Sequence, residues 1–280
     1  MKIGFAQINP TVGDLQGNFE KIAKAYDELA QAGADIVIAP ELAVTGYPPQ
    51  DLLFKSRFVP ENLAALDRLQ KRLSETALLV GFVDRNEGRG KPFHNAAALL
   101  QAHQPMQKTH KSLLPTYDVF DEDRYFQPAT KVAPLNFRGR RIGVTICEDI
   151  WTERYLPRPL YECDPLRSLV NQEAEIILNV SASPFNLRKP GVRREFGDAR
   201  TDRDPRLEGG PVFQAILPRQ DELGIGERER LGEHGLHRAP PQPRVMGRDA
   251  GGRRMLSLAV RAMQFLGLEF ELTQIGTRRE

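Results

Sequence analysis

Apolar and polar positions along the chain switch repeatedly between the unbroken or alternating runs of strands and the three-to-four-residue spacing of helices. Lys2-Ile3-Gly4-Phe5-Ala6-Gln7-Ile8 reads as a strand, after which Phe19, Ile22, Tyr26 and Leu29 recur at helical spacing until Gly33 offers a stop. Asp35-Ile36-Val37-Ile38-Ala39-Pro40 is a short apolar strand with Glu41 just past its end, the place where sites collect in α/β folds. Leu63, Leu66, Leu69 and Leu73 predict a second helix, and Ala77 to Val83 the next strand. Further strands are expected from His94 to Leu100, from Arg141 to Ile146 running into Cys147, and from Glu175 to Val180. Ile- and Val-rich strands alternating with helices imply an α/β architecture with a buried sheet covered by helices.

Beyond about Arg193 the pattern breaks down. All ten lysines lie at or before Lys189, and Arg, Gly and Pro dominate through Arg254. Arg238-Ala239-Pro240-Pro241-Gln242-Pro243-Arg244 reads as extended, and only Met255 to Phe265 regains an amphipathic helical pattern. We therefore divide the chain into a folded domain, residues 1–194, and a divergent tail, 195–280, whose composition is what translation of a GC-rich gene in a shifted frame would give.

Composition excludes the unusual classes. Of the 280 residues 40% are hydrophobic and 27% charged, and a net charge of +2 gives no reason to expect nucleic acid or a membrane as partner. No apolar run approaches the roughly 20 residues that span a bilayer, and the N-terminus lacks the apolar stretch of a signal peptide, so the expected location is cytoplasmic. Two cysteines, Cys147 and Cys163, cannot build a disulfide framework. The five histidines, His94, His103, His110, His234 and His237, show no ligand spacing, so no metal is expected. His110 reads as a loop residue, Trp151 as packing, and Cys163, between Glu162 and Asp164, as a structural thiol with a raised pKa.

Three segments place a reactive residue at a strand end or in a turn-rich loop: Pro40-Glu41-Leu42, Lys111 to Tyr117, and Ile146-Cys147-Glu148-Asp149-Ile150-Trp151. Amide hydrolysis by a thiol needs a nucleophile, a base for its proton and a cation for the oxyanion; Cys, Glu and Lys supply that set. Taken singly each is as readily a surface charge or a buried, inert thiol.

The surrounding residues carry a resemblance. Ala39-Pro40-Glu41-Leu42 with Thr45-Gly46-Tyr47-Pro48-Pro49 and Asp51-Leu52-Leu53 resembles the base segment of the nitrilase, or carbon-nitrogen hydrolase, superfamily. Lys111 to Tyr117 continuing through Asp118 to Phe126, Cys147 to Trp151, and Asn179-Val180-Ser181-Ala182-Ser183-Pro184-Phe185 reaching Lys189-Pro190-Gly191 resemble the lysine, nucleophile and glutamine-binding segments of the N-terminal glutaminase domains of bacterial glutamine-dependent NAD+ synthetases. This resemblance implies a four-layer α-β-β-α sandwich, short of strands on its C-terminal side if the tail is foreign to it. It implies Glu41 as general base, Lys111 as oxyanion stabiliser and Cys147 as nucleophile through a thioester, with a thiol pKa lowered by the lysine. Tyr117, Ser183 and Lys189 would hold L-glutamine; Lys189 reads either as the partner of its α-carboxylate or as a solvated loop lysine. Glu122 reads either as a second carboxylate at the site or as a surface charge. The glutaminase step needs no cofactor, since ATP and Mg would belong to a synthetase domain marked by an SGGxDS loop that this sequence does not contain. The implied partners are homo-oligomers or a synthetase in trans. Two other readings stay open: a carbon-nitrogen hydrolase acting alone on another small amide, and a non-catalytic remnant.

Overall fold

The structure is a computed structural model that describes residues 1–117, 120–151, 161–182, 212–215 and 272–276. Its first half alternates as the pattern predicts: β1 (Ile3–Gln7), α1 (Leu15–Gln31), β2 (Ile36–Ile38), α2 (Phe58–Arg72), β3 (Ala77–Arg85) and β4 (Phe93–Leu100). There follow β5 (Gln107–His110), β6 (Leu135–Phe137), β7 (Arg140–Ile146), α3 (Pro165–Asn171), β8 (Ile176–Val180), β9 (Val212–Ala215) and β10 (Leu272–Gly276). A six-stranded sheet runs in the order β10-β1-β2-β3-β4-β5, and a four-stranded sheet in the order β6-β7-β8-β9. Strands β10, β1, β2 and β3 are parallel, as are β7, β8 and β9; β4 and β6 are antiparallel to their neighbours.

Helix α1 starts where the Asp14 carboxylate accepts from Gly17 N at 2.9 Å, and its chain turns away at Gly33, where φ is +81°. Ile22, Tyr26 and Leu29 on α1 and Leu66 and Leu69 on α2 share one core with Val37, Leu78, Val80, Phe82, Ala96, Ala98 and Leu100 on the six-stranded sheet. Helix α3 begins with Asp164 accepting from Arg167 N and Pro165 in its first turn, and it packs Leu166, Leu169 and Val170 against Ile177. The other faces of the two sheets meet: β4 touches β7, and β5 touches β6. There Gln107 Nε2 donates to Asn136 O at 2.8 Å while Asn136 N donates to Gln107 Oε1 at 2.7 Å. Helices outside and two sheets inside make the four-layer α-β-β-α sandwich. Burial on both faces explains why β3 and β4 read as continuous apolar runs instead of alternating ones.

All described residues belong to one unit, residues 1–218 with 271–280. Four strands and one helix were not anticipated from the pattern. Strands β5, β6 and β9 have only three or four residues, too few to show a period, and α3 was overlooked although Asp164-Pro165 is a helix-start signal. Strands β9 and β10 lie in the segment set apart by composition, where β9 pairs with β8 and β10 with β1. The helix expected over Met255 to Phe265 lies outside the described residues.

One glycine decides how the base segment is placed. A Cβ on Gly81 in β3 would stand 2.3 Å from Leu42 N and 2.5 Å from Pro40 O. Gly81 N donates to Pro40 O and Gly81 O accepts from Val44 N, so the chain around Glu41 lies directly on the bare strand. Gly81→Ala should therefore destabilise the protein by about 1–3 kcal/mol, as overpacking does, and displace Glu41. Urea unfolding midpoints would check this; an unchanged midpoint would show that the segment tolerates a methyl group beneath it.

Candidate active site

Four strand ends converge on one buried cluster. Glu41 follows β2, where Leu42 takes φ +47°; Lys111 follows β5, with its N–H donating to Asn95 O at 2.8 Å; Cys147 follows β7; and Ser181 and Ala182 follow β8. Lys111 is 1% exposed, an expensive place for an ammonium unless it is paired. Its Nζ donates to Glu41 Oε1 at 2.8 Å and to Glu122 Oε1 at 2.7 Å. Asn95 Nδ2 spans the same two carboxylates, 2.8 Å from Glu41 Oε1 and 3.2 Å from Glu122 Oε2. Tyr47 donates its hydroxyl to Glu122 Oε1 at 2.8 Å, and Ala182 N donates to Glu41 Oε2 at 2.9 Å. Glu122, for which a surface reading stood open, is 4% exposed and belongs to this cluster.

Burial pulls the Lys111 pKa down, but the Glu122 and Glu41 carboxylates beside it outweigh that and hold it well above its ordinary value. Glu122 is pushed up, by burial first and by the Glu41 charge, against the pull of Lys111. Tyr47 is raised by burial and by the same two carboxylates, which keeps its proton in place as a donor.

Cys147 opens a short 3-10 turn, Cys147–Ile150, with φ +45°, a conformation that costs an L-residue about 1–3 kcal/mol and that persists where surrounding contacts impose it. The Ser181 hydroxyl lies 3.3 Å from its Sγ, and Asn179 Nδ2 donates to Thr145 Oγ1 at 3.0 Å. The expected lowering of the thiol pKa is overturned: burial and the Glu41 carboxylate push it up to about 12, against a weaker pull from Lys111. The reason is electrostatic. One ammonium already faces two carboxylates, so little positive charge remains to stabilise a thiolate.

Tyr117, expected to hold the substrate, is 37% exposed and donates to Glu148 Oε1 at 2.7 Å; Tyr161 donates to the same oxygen at 3.2 Å. Ser183 and Lys189 lie outside the described residues. Reading the motifs gave no role to Asn95, Tyr47, Ser181, Glu148 or Asp149. Asn95 was detectable as the polar interruption of the run His94-Asn95-Ala96-Ala97-Ala98-Leu99-Leu100, and Glu148-Asp149 as an acid pair directly after the thiol. His110 closes β5 instead of lying in a loop; its ring stacks on His94 at 4.1 Å and its Nε2 is 2.7 Å from Asp84 Oδ2. Trp151 is half-buried at the end of the Cys147 turn, and Cys163 is exposed, with its thiol pKa raised by its small burial, Asp149 and its acidic neighbours. Among the described residues no group of three or more His, Cys, Asp or Glu is arranged to hold a metal ion, and no helix is long and apolar enough to cross a membrane.

A buried Glu-Lys pair beside a cysteine at a strand end, between two packed sheets, joins fold and chemistry, and the model of one family, carbon-nitrogen hydrolase, matches residues 2–191. The chain belongs to the carbon-nitrogen hydrolase family. Curated relatives of this hydrolase include the glutamine-dependent NAD(+) synthetases of Synechocystis sp., 42% identical over 200 residues, and of Thermotoga maritima, 34% identical over 199 residues. The alignments take in 69% and 70% of this chain but 36% and 32% of those proteins, so the chain spans about a third of the length of the relatives it matches. Among solved structures, glutamine-dependent NAD+ synthetase from Acinetobacter baumannii in complex with ADP matches with a TM-score of 0.63 at 29% identity, over 71% of this chain and 36% of that one. An amidase from Nesterenkonia sp. matches with a TM-score of 0.62 at 20% identity, over 78% and 76% of the two chains, which is a likeness of fold.

The raised thiol pKa has a measurable consequence. Below about pH 12 the thiolate fraction of Cys147 grows tenfold per pH unit, so its alkylation by a neutral maleimide should climb without levelling between pH 7 and 9.5. In the denatured chain the same thiol should level off above its free value of about 8.5. A plateau near neutral pH in the folded protein would show a thiolate stabilised after all.

Proposed function

We propose that this carbon-nitrogen hydrolase is a glutamine amidohydrolase of the type that supplies ammonia for NAD+ synthesis, releasing ammonia and glutamate through a cysteine thioester. The observation that carries the chemistry is the fully buried Lys111 ammonium shared by Glu41 and Glu122 beside Cys147. Glutamine as substrate, and delivery of ammonia to a synthetase active site, rest on the names of the relatives.

The steps follow from the charges. A thiol held near pKa 12 does not wait as thiolate, so its proton leaves as sulfur attacks. Glu41 is the acceptor: its Oε1 already accepts from Lys111 and Asn95, while Oε2 accepts one bond among the described residues, from Ala182 N, and keeps a lone pair for that proton. Sulfur bonds to the carboxamide carbon and the carbonyl π electrons move to oxygen, where Lys111 donates to the oxyanion. Collapse breaks the C–N bond, Glu41 passes the proton to nitrogen, and ammonia leaves a γ-glutamyl thioester. Water then gives a proton to Glu41 and adds to the thioester carbon, the C–S bond breaks, and Cys147 recovers its proton. These steps require no metal or cofactor.

Glu148 suits the amino-acid end of the substrate. It adjoins the nucleophile and is 3% exposed, and one of its oxygens is held by two tyrosine hydroxyls, which leaves a carboxylate that fits an α-ammonium. Ser183 and Lys189 are proposed for the remaining polar contacts, with Lys189 toward the α-carboxylate. Homo-oligomers and a synthetase partner in trans are part of the same reading.

Cys147→Ala should abolish glutamate release from glutamine while leaving the fold intact by circular dichroism. A wild-type chain that hydrolyses other small amides but not glutamine would favour a different carbon-nitrogen hydrolase, and a folded chain inactive on both would point to a remnant. Glu148→Gln should raise KM for glutamine by tenfold or more, as loss of a charge-assisted bond of about 1.5–3 kcal/mol does, and should barely change hydrolysis of an amide that lacks the ammonium. Equal losses on both substrates would remove Glu148 from substrate recognition.

A further inference from the structure

Asp149 lies two residues beyond the nucleophile, is 2% exposed and touches no part of the path assigned above to substrate or protons. Its carboxylate accepts three main-chain N–H bonds from two segments, Ser112-Leu113 far along the chain and Ile146 at the start of its own turn. Oδ1 takes Ser112 N at 3.0 Å and Leu113 N at 2.9 Å; Oδ2 takes Ile146 N at 3.1 Å. The donors are informative. Ser112 N belongs to the peptide that leaves Lys111, and Ile146 is the residue before Cys147. The carbonyl of that first peptide accepts from Ala129 N at 2.9 Å, and the preceding N–H, that of Lys111, donates to Asn95 O. Main-chain bonds thus fix the lysine on the six-stranded sheet side, and one carboxylate ties that arrangement to the turn that carries the thiol on the other sheet.

We propose that Asp149 is a positioning residue: it sets the distance and orientation of Cys147 relative to Lys111, and so acts on the reaction without touching the reacting atoms. This inference rests on the amidohydrolase reading for its kinetic readout, but not for its chemical one. A carboxylate is the suited group, because it offers only acceptors, whereas the isosteric carboxamide must turn an NH2 toward at least one of the three donors. Burial pushes the Asp149 acid up to about 7, while these N–H groups and Lys111 pull the other way by favouring the carboxylate, so the three main-chain bonds offset part of the cost of burying it. The left-handed backbone of Cys147 is also imposed rather than preferred, and the Asp149 bond to Ile146 N closes the turn that contains it.

The test compares wild type, Asp149→Asn and Asp14→Ala. The last removes the α1 cap, whose carboxylate bonds Gly17 N, and serves as the stability control. Activity is expressed per folded molecule, with the folded fraction read from circular dichroism of the same preparation, so that unfolded molecules do not count. Asp149→Asn should lower kcat on glutamine by about 100-fold, the order expected from misplacing a catalytic group by about 1 Å, with KM within about threefold of wild type. Asp14→Ala should lower the melting temperature while kcat per site holds. In the same Asp149→Asn protein, maleimide should alkylate Cys147 at least fivefold more slowly than in the wild-type protein at the same pH, because the thiol no longer faces its base; Cys163 cannot serve as the reference, since Asp149 also acts on its thiol. A fall in melting temperature with kcat per site and the Cys147 alkylation rate unchanged would overturn the proposal and leave Asp149 a structural residue. If wild type fails on glutamine, the substrate assignment falls and the Cys147 alkylation rate alone decides for or against Asp149. Should Asp149→Asn not fold, Asp149→Glu keeps the acceptors displaced by one methylene, and the same two readouts apply.

Discussion

A single ammonium in a place without water constrains most of what surrounds it. Lys111 has no solvent to hydrate it, so it exists as a cation only because Glu41 and Glu122 stand on it at hydrogen-bond distance. Those carboxylates need donors of their own, which Asn95, Tyr47 and Ala182 N supply from β4, the loop after β2 and the end of β8. Removal of one partner from such a group typically costs about 3–5 kcal/mol, because the remaining charges are left buried and unpaired. The arrangement is therefore both the chemistry and a fixed joint between distant parts of the chain.

The topology explains why that joint forms where it does. Strands β2 and β3 are parallel, and two successive antiparallel pairings make β5 run the same way as β3, so Glu41 and Lys111 leave the six-stranded sheet on one edge. Strands β7 and β8 are parallel to each other, so Cys147 and Ser181 leave the four-stranded sheet on one edge too. Packing of the sheets at β4 against β7 and β5 against β6 brings those edges together. The C-terminal edges of parallel strands are where α/β folds place sites, since side chains there escape the ladder while their backbone remains anchored. Gly81 is the local concession this requires, a strand position left bare so that the Glu41 segment can lie across it.

Chemistry was more legible in the sequence than architecture beyond the first long elements. Glu41 and Cys147 stood out because each ends a strand-like run, Lys111 because it opens a turn-rich segment, and all three because the residues around them resemble one family. Long elements such as α1, α2 and β3 declared themselves by period, but β5, β6 and β9 are too short to have one. Strand β10 had a signal that went unread, the alternation Leu268-Glu269-Phe270-Glu271-Leu272-Thr273 just before and into it. Asn95, Glu122 and Asp149 illustrate a different limit. Asn95 interrupts an apolar run and Asp149 follows the thiol, so each can be flagged, but nothing local names partners that lie 27 to 54 residues away, as those of Asn95 do. Only the folded chain shows that their cost of burial is met by specific donors and acceptors.

The electrostatics of the cluster also bear on why the thiol is held back. Sequence reasoning placed a cation beside Cys147 and expected a lowered thiol pKa, which holds for a lysine whose charge is free. Here the charge is spent on two carboxylates, and a second buried anion next to Glu41 is disfavoured, so the resting group is the neutral thiol. A neutral thiol is a poor target for oxidants and stray electrophiles, whose reactions track thiolate character. The same arrangement suits attack on an amide. In the mechanism proposed here, as sulfur bonds to carbon its proton passes to Glu41, which would remove the carboxylate charge at the moment the oxyanion forms, and the Lys111 ammonium freed from that partner would face the new negative charge. Positive potential at the reacting oxygen thus rises with the transfer itself, so stabilisation is greater in the transition state than in the ground state, which is the condition for catalysis.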